Sequence, residues 1–262
     1  MQLRLMSIIH AIAMIIGGRT NTSAQKALRS ICPLGLAILF TVTGCAKFPT
    51  GASISGKQLV LTLKVRGKIN PTDATDPSVF RHYFIAIDND NNPNTGPWAA
   101  VFPPYGGNGW VTSQDAAHSI GLTSFAQYDS SNTEGYIYGV LPGSYFLNVT
   151  SPQPPIRAEL LEGGSTLRVI VDFSQIATAA IPLDNIKQLD INFITTNALP
   201  VSGDFVPGRI WDGLGPSGQN YVTVDTTMNR LYYGYNADGP AVTDPDLDIV
   251  YWSVEVQSVS SR

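Results

Sequence analysis

Between Gln58 and Ile69 the chain keeps a strict period of two. Leu59, Leu61, Leu63, Val65 and Ile69 fall on one side, and Lys64, Arg66 and Lys68 fall on the other. Only an extended strand sends successive side chains to opposite faces. A row of Lys and Arg on one face predicts a half-buried strand of an antiparallel sheet. Phe80 to Asp88 is instead apolar on both faces, as in a strand inside a sandwich.

Further strands are expected over 119–128, 134–140, 155–162, 165–173 and Leu189–Thr196, with Leu167, Val169, Val171 and Phe173 facing inward. A last strand follows, whose Val250, Trp252, Val254 and Val256 share one face. Short helical turns are expected over Ser174–Ala180 and Asp184–Lys187. Asn70–Pro77, Trp98–Trp110 and 200–220, the last centred on Trp211-Asp212-Gly213, read as loops from their Gly, Pro and Asp content. With 24 Gly and 18 Pro to make the turns, this pattern predicts an all-β fold: a single antiparallel β-sandwich of jelly-roll type. No internal repeat and no composition break divides it.

The first 44 residues contain Arg4, Arg19, Lys26 and Arg29 and no acidic side chain. Lys26 and Arg29 precede the apolar run Ile31–Val42. That run is shorter than the roughly 20 residues a spanning helix needs and suits the core of a signal peptide. Val42-Thr43-Gly44-Cys45 then resembles the lipobox of bacterial lipoproteins. The resemblance implies cleavage before Cys45, a diacylglycerol on its sulfur and acylation of its new amine, which is enough to anchor a protein stably. Cys32, the other cysteine, lies in the discarded segment, so no intrachain disulfide can form. Ala46 rather than Asp after the cysteine points, by the same resemblance, to an outer membrane, with the domain at the cell surface or periplasmic face.

Residues 1–25 carry a second apolar stretch, Met6–Gly18, for which a start codon assigned too far upstream accounts. The expected organisation is therefore leader 1–44, lipidated Cys45 and tether 45–56, and sandwich 57–262. Without the leader, 12 Lys and Arg face 20 Asp and Glu, a net charge of −8. Such a body lacks the cationic stripe that nucleic acid requires.

Asp88, Asp90 and Asn92 place oxygen donors at alternate residues of the stretch Asp88-Asn-Asp90-Asn-Asn92-Pro-Asn-Thr95-Gly96. Calcium takes 6–8 such oxygens. Pro93 stands where an EF-hand needs its sharp-turn Gly, and Ala99 where it needs the bidentate Glu. The stretch instead resembles a loop of exported bacterial domains of the DOMON and family-9 carbohydrate-binding kind, in which it binds calcium or simply shapes a hairpin. Asp, Asn, Pro and Gly also build Asx-turns and β-turns with no metal, so both readings stand at this level. Asp244, Asp246 and Asp248 form a second acidic group, read as completing the same site, forming another, or lying solvated at a strand entry.

Trp98, Tyr105 and Trp110, with Trp211 as an outlier, are candidates for a sugar-stacking platform. Buried aromatics are also ordinary sandwich filling. No GxSxG, HExxH, phosphate-binding Gly loop or Cys-x-x-Cys is present. After the leader only His82 and His118 remain. His82, between Phe80 and Phe84, reads as a hydrogen-bonded core histidine. His118 with Asp115 or Asp129 lacks a marked nucleophile, and a Met228–His82 haem pair is a remote DOMON-derived option. The expected function is a non-catalytic, calcium-braced binding or interaction module anchored to the cell envelope, with polysaccharide or an envelope protein as partner. A carbohydrate-binding module and a hydrolase of unknown class are the alternatives.

Overall fold

The alternation that opens the chain becomes β1 (Lys57–Val65), with Leu59, Leu61 and Leu63 fully buried. The structure is a computed structural model and describes residues 55–73, 76, 78–99, 111–112, 121–130, 134–140, 149–199, 207–237, 239 and 242–259. The chain divides between Gly51 and Ala52 into two units, and every described residue belongs to the second. The leader, Cys45, Tyr105, Trp110, Asp115 and His118 lie outside the described residues.

The remaining strands are β2 (His82–Asp88), β3 (Trp98–Ala99), β4 (Val111–Thr112), β5 (Ser124–Tyr128), β6 (Tyr136–Gly139), β7 (Arg157–Leu161), β8 (Thr166–Asp172), β9 (Gln188–Thr196), β10 (Trp211–Asp212), β11 (Val222–Asp225), β12 (Arg230–Tyr235) and β13 (Ile249–Ser258). One antiparallel sheet runs β12-β13-β1-β8-β7, and the other runs β10-β9-β2-β5-β6. β11 lies along the same edge of β9 as β10, at the opposite end. The two sheets pack as a β-sandwich, as expected. β3 and β4 pair separately.

Between the sheets, Leu59, Leu61 and Leu63 meet Val169 and Val171 of β8, Ile85 and Ile87 of β2, and Ile191 and Phe193 of β9. Each such side chain removed from water contributes roughly 1.5–3 kcal/mol. Phe173 is also fully buried, but as the first residue of the single-turn helix α1 (Phe173–Ile176). Asp172 caps that turn by accepting from Ser174 N–H, while Gln175 Oε1 accepts from Asp172 N–H. The turn expected at Asp184–Lys187 is a 3-10 turn at Leu183–Asn185, and another 3-10 turn, Glu162–Gly164, joins β7 to β8.

Two expectations change. The loop at 200–220 contains β10, which pairs with Thr195 and Thr196, and two further strands, β11 and β12, follow it. On β13, Trp252, Val254 and Val256 face the core, but Ile249 takes the place expected for Val250. The cause is a register shift: Lys64 pairs with Tyr251, whereas Val65 pairs with Ile249. The extra residue rotates Val250 off the core face, as a β-bulge does.

The outer face of the second sheet is covered too. Phe84, Ala86, Phe125 and Ile194 form a second buried cluster with Ala99, Leu122 and Val140, against which half-buried Tyr138, Val149, Leu199 and Trp211 pack. Polar residues on that face are consequently taken out of water.

Candidate functional site

β2 and β9 are antiparallel neighbours, with Asp88 directly opposite Asp190. β11 continues the row, with Thr223 opposite Asp190. Three strands therefore set Asp88, Asp190 and Thr223 in line at one end of the covered outer face. Asp88 is 2% exposed and Asp190 1%. Thr223 donates its hydroxyl to Asp190 Oδ1 at 2.6 Å, and Gln188 Nε2 donates to Oδ2 at 3.3 Å. Asp88 Oδ1 accepts from Asp90 N–H at 3.2 Å. Asp88 Oδ2 is buried with no hydrogen-bond partner.

The loop leaving β2 holds itself in shape. Asp88 accepts from the N–H of Asp90, Asp90 from that of Asn92, and Asn92 from that of Asn94, at 3.2, 2.7 and 3.2 Å. These are successive Asx-turns. Thr95 closes the run by donating its hydroxyl to Asp90 Oδ2 at 2.8 Å. Asn91, at φ 61°, adopts the left-handed conformation that Asn tolerates better than most residues. Its side chain accepts from Lys187 and Gln188 N–H and donates to Asn185 C=O, tying the loop to the start of β9. Tyr221 covers it, donating to Pro93 C=O at 2.9 Å. Its ring lies so close to Gly96 that a Cβ there would meet it at 2.5 Å.

Burial pushes the Asp88 carboxyl up to about 8, and the charges of Asp90 and Asp190 add to the effect. Burial also raises Asp190, to about 6, with Asp90 contributing, although hydrogen bonds from Thr223 and Gln188 work the other way. The Tyr221 phenol is raised by burial first and then by Asp190, Asp88 and Asp90. All three carboxylates thus act on one space. Among the described residues, no three His, Cys, Asp or Glu side chains are grouped tightly enough to hold a metal by themselves.

The structure does not bring all the sequence candidates together. Asn92 is exposed and turns its side-chain oxygen to Asn94. Asp244 and Asp246 belong to the other end of β2, about 20 Å along a seven-residue strand. There Arg81, 5% exposed, meets Asp244 at 2.8 Å, Asp73 at 3.0 Å and Asp246 at 3.8 Å. Burial opposes the Arg81 charge, but the hydrogen bonds it donates to Asp244 and Asp73, with the negative charges of Asp244 and Asp246, outweigh that, so its pKa is raised. Asp248 pairs with Arg66 at 2.8 Å. The second acidic group is thus placed around arginines and does not complete the Asp88 site.

Trp98 is half-buried in the β3–β4 ladder. Trp211 packs onto the outer cluster, its ring filling the space a Gly218 side chain would need. His82 contacts Asp129 Oδ2 at 3.0 Å, an oxygen that Gln127 also donates to, and its ring stacks on Phe84. Met228 follows β11, near the Gln188 end of β9, whereas His82 pairs with Thr196 at the far end.

Sequence reasoning missed Asp190, Thr223 and Tyr221. The available signal was the alternation of Asp190 and Asn192 with Leu189, Ile191 and Phe193, but that pattern does not say that the polar face is covered. No protein-family model, curated protein or solved structure matches the chain.

Proposed function

We propose that the chain is an exported lipoprotein, anchored through lipid on Cys45 to an outer membrane, whose β-sandwich is a non-catalytic binding module of the cell envelope. The observation that supports the binding role is the outer face of the first sheet. On β12, Leu231, Tyr233 and Tyr235 are 50%, 62% and 77% exposed. Tyr235 stands opposite Tyr251 of β13, their rings edge to face at 5.5 Å. Glu255 shares the face by pairing with Leu231, and Lys64 by pairing with Tyr251.

A second reading names the ligand as a polysaccharide. Flat aromatic rings offer apolar faces to sugar C–H groups while the phenol hydroxyls remain free for hydrogen bonding. An open sheet face suits the side of a linear chain better than its end. This reading moves the platform from Trp98, Tyr105 and Trp110 to Tyr233, Tyr235 and Tyr251.

The experiment is electrophoresis of the protein through gels containing soluble glucans or xylans. Retardation should be lost in the double variant Tyr233→Ala, Tyr235→Ala, and the melting temperature should change little, because both rings are exposed. Migration unaffected by any of the polysaccharides would remove the sugar reading. Incorporation of labelled fatty acid that is abolished by Cys45→Ser tests the anchor separately.

A further inference from the structure

The Asp88 end of the outer face gathers acidic side chains around a buried carboxylate oxygen that no donor meets. Asp88 and Asp190 are both buried, and Asp90 adjoins them in the loop. Asp88 and Asp190 stand directly opposite each other on adjacent strands, and Asp90 adjoins Asp88 by donating its N–H to Asp88 Oδ1. Lys187, the nearest basic residue in the loop's hydrogen-bond network, meets it through its backbone N–H only. Burying like charges without a counter-charge is costly. One oxygen of Asp88 also lacks any donor, where buried carboxylate oxygens are ordinarily satisfied.

We propose that Asp88, Asp90 and Asp190, which do not form a metal site by themselves, bind a calcium ion together with the hydroxyls of Thr95 and Thr223, with Asp88 Oδ2 as the central ligand. The site is built across strands: β2 supplies Asp88, β9 supplies Asp190 and the loop supplies Asp90. An ionised carboxylate has about four acceptor positions, and the hydrogen bonds already made leave lone pairs on all three. The hydroxyls of Thr95 and Thr223 lie against Asp90 and Asp190 and supply neutral oxygens. Hard oxygen donors of mixed charge, without imidazole or thiolate, are the ligand chemistry of calcium. Calcium also tolerates irregular geometry, whereas magnesium demands a near-ideal octahedron. The assignment differs from the spacing-based set by including Asp190 and excluding Asn92, Asp244, Asp246 and Asp248. It is independent of whether the tyrosine face holds a polysaccharide.

The test uses the full chain in detergent, stripped with EDTA, melted with and without 1 mM calcium or magnesium. A ligand that binds only the native state stabilises it by mass action, and calcium should raise the melting temperature by about 5–10 °C. Asp190→Asn and Asp88→Asn should each weaken calcium binding at least tenfold by titration calorimetry. Both remove like charge, so both should fold without calcium. Asn92→Ala and Asp244→Asn should keep the calcium shift, as should the Tyr233/Tyr235 double variant, which separates this site from the binding face. An unchanged melting curve in 1 mM calcium, or Asp190→Asn binding calcium like the parent, would overturn the proposal. A magnesium shift as large as that of calcium would overturn the choice of ion.

Discussion

The two ends of β2 carry the same chemistry in opposite circumstances. At the start of the strand, Asp73, Asp244 and Asp246 surround Arg81. At its finish, Asp88, Asp90 and Asp190 come together, and among the described residues no ion pair joins any of them to a guanidinium or ammonium. Both groups include an Asp-x-Asp pair, 244/246 and 88/90. What separates them is one arginine, placed next to β2 in sequence and 163 residues from Asp244. Local spacing of acidic residues therefore carries little information about what they hold; the element packed against them decides.

The harshest way to break this comparison is to remove the arginine. Arg81→Gln should destabilise the domain by about 3–5 kcal/mol, because it leaves buried carboxylates without their partner. Thermal denaturation would register this as a fall of roughly 10 °C. A Tm within a degree or two of the parent would mean that water reaches Asp244 and that the two ends are alike.

A smaller effect sharpens the contrast through its sign. In the presence of EDTA at neutral pH, Asp88→Asn should raise stability by about 1–2 kcal/mol, since an amide can be buried without the proton uptake that burial imposes on the Asp88 carboxyl. Asp244→Asn should lower stability by a similar amount, since it weakens an ion pair. Denaturant melts of the two variants under the same conditions would show midpoints moving in opposite directions, and shifts of the same sign would contradict the assigned environments.

Asp212 is an intermediate case, and its effect, read as a change per pH unit, is the smallest step expected. It is 1% exposed and met by neutral donors, accepting from Ile249 N–H at 2.7 Å and Gly213 N–H at 2.8 Å. Burial nevertheless raises its carboxyl to about 7 from an ordinary 3.8, and these hydrogen bonds only partly offset that. Between those two values the folded form holds a proton that the unfolded form has released. Asp212 therefore makes stability fall as pH rises through that window and has no further effect above it. The contribution is at most about 1.4 kcal/mol per pH unit. The melting temperature of Asp212→Asn should be flatter than that of the parent between pH 5 and 7, even if the amide lowers its level. Parallel curves would place the titration elsewhere.

The alternation at Leu59–Val65 and the apolar run of β2 were legible because period and composition are local. So were β8, β9 and most of β13. The bulge that exchanges Val250 for Ile249 was not, since it depends on how β13 registers with β1. β12 was also missed. Its Gly234 reads as a strand weakener, yet it faces Trp252, whose ring a Cβ would approach to 2.7 Å. For the site, the spacing found Asp88 and Asp90 but not Asp190. The burial of Asp190 depends on segments far away in sequence that cover the outer face of the second sheet.

The run of turns from Asp88 to Thr95 has a kinetic implication. Because Asp88, Asp90 and Asn92 each already hold the amide two residues on, this loop is shaped before any guest arrives. Capturing an ion would then require almost no rearrangement of the polypeptide, and the rate would be governed by how quickly the guest sheds its own hydration shell.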